Sequence, residues 1–287
     1  MPEGDVVLRT ARRLHSALAG RALVRSDLRW PSLATVDLHD RHVLEVVAAG
    51  KHLLMRLDGG LTLHSHLRME GSWHVHRTGE PWRSRRPEHE IRAVLANQQW
   101  TAVGHRLGML DLVGTDQEAR LVGHLGPDVL GPGWDPVEAA RRLGAEPARP
   151  VADALLDQRV LAGVGTFYTS ETCFLRGVTP WTPVRDVPDH RAVVDLVHRI
   201  MTANVDRVGQ VTTGNARPGQ EQWVHGRAGR PCRRCGTTIR ISSVGAAPKE
   251  RVAFWCPRCQ RGPAPTGTAR PLGSGPRQGR RPADWAE

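Results

Sequence analysis

The sequence predicts an α+β fold, in which an antiparallel β-sandwich with one packed helix precedes a helical region and a cysteine-bearing β-hairpin. Three observations support this prediction. Short apolar or alternating runs, separated by turn residues, fill residues 22–113. Apolar residues at a helical period follow between residues 135 and 208. Two Cys-x-x-Cys pairs then lie close together near the end of the chain.

The first predicted element is a helix over residues 3–19. Its apolar residues recur at the helical period, while the arginines lie largely on the other face. The apolar set consists of Val6, Val7, Leu8, Ala11, Leu14, Leu18 and Ala19. Gly20 is a natural stop for this helix, because glycine tolerates the backbone conformation that ends many helices.

Eight runs after this helix predict the strands of the sandwich. They cover residues 22–28, 42–47, 52–57, 61–67, 72–75, 91–95, 100–103 and 107–113. Asp58-Gly59-Gly60 predicts a tight hairpin turn within this series. Residues 123–133 contain several glycines and prolines and predict a connecting loop.

The second half predicts helices over residues 135–143, 151–161, 167–175 and 189–208. Ala162-Gly163-Val164-Gly165-Thr166 separates the second of these from the third. A glycine turn that leads into a helix can present free backbone N–H groups to an anion such as a DNA phosphate. A simple turn between two helices is the alternative interpretation.

The composition favours a polyanionic partner. The chain has 287 residues, a formal net charge of +11 and a sequence pI near 10.8, which indicates nucleic acid before a membrane surface. Lys51 and Lys249 are the only lysines, so part of the arginine excess can reflect a GC-rich coding bias. We find neither a long apolar span nor a signal peptide, and we expect a soluble, cytoplasmic protein with no membrane partner.

Four of the five cysteines predict a structural zinc site. Cys232, Cys235, Cys256 and Cys259 have the spacing of a zinc ribbon, in which two knuckles hold one tetrahedral Zn²⁺ across a β-hairpin. Two disulfides are the alternative, but nothing in the sequence indicates an oxidising compartment. Cys173 lies in an apolar helical stretch and is expected to be a buried, small hydrophobic residue.

The start of the chain, Met1-Pro2-Glu3-Gly4-Asp5, is a candidate active site. Removal of Met1 would leave Pro2 as an N-terminal secondary amine, which can attack an electrophilic carbon and form an iminium ion. An α-amino group titrates near roughly 7.7 to 8, so a useful fraction is unprotonated at neutral pH. Glu3 could move protons in the same complex. Alternatively, Pro2 merely follows the initiator and Glu3 begins a helix.

Four segments of the chain form an ordered set: Pro2-Glu3-Gly4, Gly50-Lys51-His52-Leu53-Leu54, the segment from Asp157-Gln158 to Glu171, and Trp255-Cys256-Pro257-Arg258-Cys259-Gln260. In this order they resemble the formamidopyrimidine-DNA glycosylase and endonuclease VIII family, the helix-two-turn-helix enzymes of base-excision repair. The resemblance covers residues 1–261. It implies an N-terminal catalytic β-sandwich domain (1–128), a linker (129–134), a helix-two-turn-helix DNA-binding domain (135–227) and a zinc-ribbon finger (228–261). Residues 262–287 are rich in proline, glycine and arginine, which predicts a disordered basic tail.

The resemblance also implies a chemistry. The nitrogen of Pro2 would attack C1′ of a damaged nucleoside, the base would leave, and the iminium would lead to β- and then δ-elimination. Glu3 would protonate the sugar ring oxygen and assist the eliminations. The target nucleotide has to leave the helical stack to expose C1′. Met69 falls where the family inserts an apolar wedge into the duplex, although a core methionine is the alternative.

Phosphate contacts are implied for Lys51, in the family's strand motif, and for His66. Arg251 lies on the ribbon hairpin, where the family's finger arginine reaches the phosphates beside the lesion, and a guanidinium can hold two oxygens at once. Lys51 and Arg251 therefore join Pro2 and Glu3 as predicted catalytic residues. The zinc would keep the hairpin in shape and take no part in the chemistry, because all four ligands are cysteines.

Further DNA contacts are predicted where the chain departs from the family pattern. Thr166, after Gly165, stands where the family has a phosphate-binding asparagine, so the backbone N–H or a water could make that contact. His105-Arg106-Leu107 occupies the place of a family triplet that supports the orphaned base, and Arg106 is predicted to contact DNA there. His225 replaces a tyrosine and, with Arg227, could donate to phosphate. Val6 replaces a glutamate, which leaves no accessory proton carrier at that position.

The start Pro2-Glu3-Gly4 and the short stretch between residues 214 and 223 resemble the endonuclease VIII branch and imply oxidised pyrimidines as substrates. We therefore predict a bifunctional DNA glycosylase and AP lyase, monomeric and associated with the bacterial nucleoid. Its partner would be damaged duplex DNA, with single-stranded or bubble DNA left open. The alternatives are an 8-oxoguanine and formamidopyrimidine glycosylase, a non-catalytic zinc-ribbon DNA-binding protein, and a ribbon-bearing RNA or translation factor.

Overall fold

The computed structural model describes residues 2–80, 87–248 and 250–265. Its helices are α1 (Gly4–Leu18), α2 (Ala119–Val122), α3 (Pro136–Leu143), α4 (Val151–Leu156), α5 (Thr166–Arg176) and α6 (His190–Thr202). Its strands are β1 (Arg21–Ala22), β2 (Arg25–Leu28), β3 (His42–Ala49), β4 (His52–Leu57), β5 (Leu61–His66), β6 (Ser72–Arg77), β7 (Ile91–Ala96), β8 (Trp100–His105), β9 (Met109–Gly114), β10 (Arg240–Val244) and β11 (Arg251–Trp255). The predicted mixture of helices and strands is confirmed.

Two antiparallel sheets build the first half of the chain. The five-stranded sheet has the order β1-β3-β4-β5-β9, and the four-stranded sheet has the order β2-β7-β8-β6. One apolar core lies between them and includes Val46 of the first sheet and Leu95 of the second. Helix α1 contacts both sheets and buries Leu14 and Leu18 in this core, as its apolar period predicts.

The single predicted strand over residues 22–28 is divided between the two sheets. The N–H of Leu23 donates to Arg41 O at 2.9 Å, whereas the N–H of Val24 donates to Ala96 O at 2.8 Å. Consecutive residues therefore pair with different sheets, and the chain crosses from one layer to the other. The residue pattern of a strand cannot show this crossing, because it does not specify which sheet each residue pairs with.

A second apolar core lies among α3, α4, α5 and α6. Strands β10 and β11 form a separate hairpin that packs on α5, where the N–H of Phe254 donates to Ser170 Oγ at 3.3 Å. The predicted burial of Cys173 is confirmed, and burial raises the pKa of its thiol to about 12. Among the described helices, none has both the length and the apolar character of a membrane span.

Two of the predicted helices are shorter than their apolar pattern. Helix α4 ends at Leu156, and the side chain of Gln158 then donates to Leu156 O and accepts from the N–H of Gly163. Helix α6 ends at Thr202, and the buried side chain of Asn204 donates to Ile200 O at 2.8 Å. In both places an amide side chain satisfies the backbone groups of a turn, and Leu161 and Val205 beyond the helix ends are buried in loops, whereas Val208 is exposed.

The basic tail predicted for residues 262–287 lies almost entirely outside the described residues. Within the described part, the carbonyl of Pro263 accepts a hydrogen bond from Thr179 Oγ1 at 2.8 Å. The N–H of Arg261 donates to Gly177 O at 2.8 Å. The chain is therefore attached to the end of α5 as far as residue 263.

Gly126 supplies a stability test for the segment that connects the two halves. A methyl group at this position would lie 2.3 Å from Arg159 O and 2.8 Å from Val160 O, which are backbone atoms that cannot move independently. We expect Gly126→Ala to lower the free energy of unfolding by about 1–3 kcal/mol in denaturant titration. Gly133→Ala is the matched control, since its added methyl meets no heavy atom within 4 Å. Equal stability of the two variants would contradict this packing.

Candidate active site and metal centre

The carboxylate of Glu3 is buried at the N-terminus of α5. It accepts hydrogen bonds from the N–H of Gly165 at 2.8 Å and of Phe167 at 2.7 Å, with a longer contact from the N–H of Tyr168 at 3.4 Å. Glu3 also precedes α1 directly, and its own side chain makes no capping bond to that helix. The interpretation that Glu3 merely begins a helix therefore does not account for its side chain, which is bound by a different helix.

Lys51 meets Glu3 at Gly165. A methyl group on Gly165 would lie 2.6 Å from Glu3 Oε1 and 2.8 Å from Lys51 Nζ, so the carboxylate and the ammonium approach the same point of the backbone. Lys51 stands in the turn between β3 and β4, and Gly50 N–H donates to Asp128 Oδ2 at 2.8 Å beside it. The predicted residues Glu3 and Lys51 are thus brought together, and Pro2 is next to Glu3 in a partly exposed position.

Burial and charge act against each other on these two groups. Burial raises the pKa of the Glu3 carboxyl above its ordinary value, although the Lys51 ammonium and the N–H groups of α5 oppose this rise. Burial lowers the pKa of Lys51, and the Arg251 guanidinium lowers it further, while Glu3 opposes both. Such a pair is suited to proton transfer, because neither group is held firmly in its charged form.

A second buried carboxylate, Asp5, lies beside this pair. Its Oδ2 accepts a hydrogen bond from the Tyr168 hydroxyl at 2.9 Å, and Gln210 Nε2 donates to its two oxygens at 3.1 and 3.2 Å. No functional role was predicted from the sequence for Asp5, Tyr168 or Gln210. The available signal was an acidic residue in the first turn of an amphipathic helix, which occurs widely for reasons of helix stability.

His66, predicted to bind phosphate, lies in a group of histidine rings beside Lys51. The ring of His52 stacks on that of His64 with centroids 5.1 Å apart and meets that of His66 edge-on at 5.0 Å. His52 Nδ1 lies 2.8 Å from His64 Nε2, and His64 Nδ1 lies 3.0 Å from Asp111 Oδ2. Burial, with nearby cations, lowers the pKa of His66 to about 4, so the ring is neutral at pH 7. A neutral ring could reach a phosphate only as an N–H donor.

Met69 is 63% exposed in the turn between β5 and β6. The alternative of a core methionine is therefore wrong. Arg106 lies near this turn but pairs with Glu70 and with Glu90 through its two terminal nitrogens. Both terminal nitrogens of Arg106 are thus already engaged by carboxylates.

Arg227 and His225, both predicted to contact phosphate, have different surroundings. Arg227 is buried, and its guanidinium donates to Trp223 O at 2.5 Å and Pro231 O at 2.8 Å, which does not fit the predicted DNA contact. His225 lies edge-on to the rings of Phe167 and Phe254, with centroid distances of 5.1 and 4.9 Å.

The predicted phosphate contact at Gly165 and Thr166 also needs correction. The N–H of Gly165 donates to Glu3, and Thr166 is 3% exposed, so the anion held at this helix N-terminus is a carboxylate of the protein itself. Arg251, by contrast, is exposed on β11 and close enough to lower the pKa of Lys51. Lys51 therefore lies beside Glu3, and Arg251 is near Lys51 in an exposed position that DNA could reach.

Glu171 is buried and ends one of the four segments that resemble the family. No functional role was predicted for it. Its oxygens accept from the N–H groups of Trp223 at 2.9 Å, Val224 at 2.8 Å and His225 at 2.8 Å, and from the Thr212 hydroxyl. One carboxylate thus fixes the chain that leads into the cysteine hairpin.

The four cysteines of the hairpin gather as predicted. Their sulfur atoms all lie within 4.8 Å of one another, with Cys232 Sγ 3.8 Å from Cys259 Sγ and Cys235 Sγ 3.5 Å from Cys256 Sγ. A disulfide requires about 2.0 Å between sulfurs, so the disulfide alternative is wrong. Four thiolates about 2.3 Å from one tetrahedral ion would be about 3.8 Å apart, which this arrangement fits.

The chain is similar to known proteins both in sequence and in fold. Residues 1–108 match the formamidopyrimidine-DNA glycosylase N-terminal domain family. The chain is 55% identical to a probable endonuclease 8 2 of Streptomyces coelicolor over 267 residues, which cover 92% of this chain and 96% of the relative. It is 47% identical to the DNA-(apurinic or apyrimidinic site) lyase Nei2 of Mycolicibacterium smegmatis over 262 residues, which cover 91% and 99%.

Its fold is similar to that of Lactococcus lactis Fpg, solved as a complex with an abasic site containing DNA. The TM-score is 0.75 at 22% identity, with 91% of this chain and 100% of that chain covered.

The cysteine cluster predicts one bound metal ion per chain. We expect Cys256→Ser to lose most of the metal, because a four-thiolate site loses a ligand, and Co²⁺-loaded protein to lose its thiolate-to-metal absorption. Metal content by mass spectrometry and absorption of the cobalt form are the measurements. Cys173→Ala is the matched control, because Cys173 lies in another core and should leave both unchanged. Metal retention by Cys256→Ser would exclude this site.

Proposed function

The chain belongs to the formamidopyrimidine-DNA glycosylase and endonuclease VIII family, and on that premise we propose that it is a bifunctional DNA glycosylase and AP lyase of base-excision repair. The observation that carries this proposal is the meeting of Glu3 and Lys51 at Gly165, immediately beside Pro2. A proton donor is thus held next to a potential amine nucleophile. This arrangement favours an enzyme over a DNA-binding protein without catalysis, which would not require it.

We propose that Pro2 is the nucleophile once Met1, which lies outside the described residues, has been removed. Its nitrogen lone pair forms a bond to C1′, and the bond from C1′ to the base breaks, so that the base leaves with the electron pair. Glu3 donates a proton to the ring oxygen as the sugar opens, and the amine nitrogen loses its proton to give the iminium.

The lyase steps follow from the iminium. Loss of a C2′ proton breaks the bond from C3′ to oxygen, which is β-elimination, and loss of a further proton breaks the bond from C5′ to oxygen, which is δ-elimination. Glu3, once deprotonated, is the base beside these carbons. Hydrolysis then releases Pro2. The N–H groups of Gly165 and Phe167 keep the Glu3 carboxylate in one orientation during these changes.

Lys51 and Arg251 are proposed to hold the phosphates beside the flipped nucleotide. The Arg251 guanidinium is close enough to lower the pKa of Lys51, which supports a shared anion, since two cations close together favour a negative ligand between them. His66 could add an N–H donor. We propose Met69 as the wedge that fills the space left by the flipped base, because an exposed apolar side chain at a turn is suited to that role.

We propose that the bound metal is Zn²⁺ and that it has a structural role. Four cysteine ligands fill a tetrahedral site and leave no position for water or substrate, which is typical of structural zinc. The hairpin that carries Arg251 would depend on it for shape. Zn²⁺ would therefore act on DNA binding through the finger.

The finer domain division also belongs to the proposal. It comprises a catalytic β-sandwich over residues 1–128, a linker over 129–134, a helix-two-turn-helix domain over 135–227 and a zinc-ribbon finger over 228–261. The two separate apolar cores and the separate β10–β11 hairpin support this division.

The substrate is proposed to be damaged DNA carrying an oxidised pyrimidine. The two relatives named endonuclease 8 2 and Nei2 lyase support the endonuclease VIII branch. An 8-oxoguanine preference is the second candidate. We also propose that the protein acts as a monomer on DNA in the bacterial cytoplasm.

Borohydride trapping tests the nucleophile. Protein lacking Met1, incubated with abasic-site DNA and a reducing agent, should form a covalent adduct through the reduced iminium. We expect Pro2→Gly and Pro2→Thr to remove most of this adduct. Electrophoresis of the adduct and peptide mapping of the modified residue are the measurements.

Binding to DNA with a reduced abasic site, which cannot form an iminium, is the control and should be similar in all three proteins. Undiminished adduct in the Pro2 variants, or an adduct mapped to another residue, would exclude Pro2 as the nucleophile.

The wedge is tested by Met69→Ala. We expect single-turnover excision from duplex DNA to fall by about tenfold, which corresponds to roughly 1.4 kcal/mol, because the flipped state loses the side chain that fills the stack. Excision from single-stranded DNA should change little, since no stack has to be filled. Leu44→Ala is the matched control, because Leu44 is also an exposed apolar residue, at 57% compared with 63% for Met69. An equal loss on both kinds of DNA would contradict the wedge.

A further inference from the structure

Asp5 is a buried carboxylate that the proposed chemistry does not use. It lies in the first turn of α1, two residues after Glu3, and its exposed fraction is 0%. The next residue, Val6, has an apolar side chain, so the first turn of α1 offers Asp5 as its acidic group. A buried carboxylate beside a catalytic acid needs an explanation, because burial of a charge is unfavourable unless neighbouring groups stabilise it.

Tyr168 connects Asp5 to Glu3. Its hydroxyl donates to Asp5 Oδ2 at 2.9 Å, and its backbone N–H approaches Glu3 Oε2 at 3.4 Å. Both carboxylates therefore belong to one hydrogen-bonded group at the start of α5. The distance between them is set by one rigid residue on that helix.

The neighbours of Asp5 favour its charged form. Tyr168 and Gln210 present donors to it, and the N–H of Val6 is a further donor. Burial has the larger effect and raises the pKa of the Asp5 carboxyl above its ordinary value, while these donors and the positive charge of Arg9 oppose the rise. Burial and the charge of Asp5 raise the pKa of Tyr168, so its hydroxyl keeps the proton that it donates.

Glu3 is consequently placed between opposite charges. Lys51, from the turn between β3 and β4, favours the ionised form of Glu3, as do the N–H groups of Gly165 and Phe167 in α5. Asp5, from α1, favours the protonated form because two negative charges close together repel each other. Arg251 acts on this group indirectly, because its positive charge lowers the pKa of Lys51.

We propose that Asp5 is a positioning residue. Its negative charge, fixed by Tyr168 and Gln210, keeps Glu3 protonated until Glu3 donates that proton to the ring oxygen of the opening sugar. This inference rests on the proposed function, since it assigns Glu3 as the acid. Asp5 itself does not touch the substrate. It acts through the protonation of Glu3.

Asp5→Asn tests this role, because it removes the charge and keeps the size of the side chain. Glu3 must be protonated to act as the acid, so single-turnover excision falls as pH rises through the Glu3 pKa. Loss of the Asp5 charge lowers that pKa. We expect the basic limb of the pH–rate profile to move to lower pH by roughly half to one unit, and the rate on that limb to fall about three- to tenfold.

Asp128→Asn is the matched control. It also neutralises a carboxylate that accepts backbone N–H groups near Lys51, but its partners are Gly50 and Leu130 instead of Tyr168. We expect its basic limb to stay in place. An unmoved limb in Asp5→Asn, or equal shifts in the two variants, would show that Asp5 has only a structural role and would overturn the proposal.

A measurement on the unsubstituted protein keeps the test independent of folding. In carboxyl-¹³C NMR titrations, with the Glu3 signal assigned by its loss in Glu3→Gln, Asp5 should remain ionised at pH values where Glu3 takes up its proton. Protonation of Asp5 at higher pH than Glu3 would overturn the proposal. Failure of the proposed function has a different signature, which is absence of excision and trapping by the unsubstituted protein.

Discussion

The structure depends on one contact, in which the Glu3 carboxylate is bound by the N-terminus of α5. The N–H groups of Gly165 and Phe167 donate to it, and the first of these bonds joins residues 162 positions apart. The residue that precedes α1 thus uses its side chain to cap α5. The contact requires glycine at position 165, because a side chain there would occupy the place of the carboxylate and of Lys51 Nζ. It fixes the beginning of the chain against the second core and gives Pro2 a defined position.

Other close approaches of backbone support the same contact. The N–H of Gly4 donates to Gly163 O at 2.9 Å, and a methyl group on Gly4 would lie 3.1 Å from the α-carbon of Gly163. Gly50 adopts φ +56° and reaches Asp128 from the strand turn that carries Lys51. Glycines at these positions allow the sandwich and the helices to meet with little side chain between them. Glu3, Lys51 and Gly165 are therefore brought together from three separate parts of the chain.

The sequence predicted what depends on local patterns and on spacing. The strands around Asp58-Gly59-Gly60, helix α1 and the gathering of the four cysteines follow from turn residues, helical period and ligand spacing, and the structure confirms them. The sequence could not predict which groups lie at the N-terminus of a helix. The anion expected at Gly165 proved to be Glu3, and Arg227 binds carbonyl groups where a phosphate contact was predicted, because long-range packing decides which partner is nearest.

The net charge of +11 is a poor guide to where DNA would bind, because many arginines already pair with carboxylates. Arg56 pairs with Glu45 and Glu118, and other described arginines are similarly engaged. Lys51 differs, since burial and the charge of Arg251 disfavour its ammonium form, and the carboxylates of Glu3 and Asp5 oppose them. A phosphate between Lys51 and Arg251 would offset their repulsion and stabilise both charges. DNA binding and protonation of Lys51 are then linked. Binding of the substrate would therefore favour the positive charge of Lys51 beside Glu3 at the stage when Glu3 exchanges its proton.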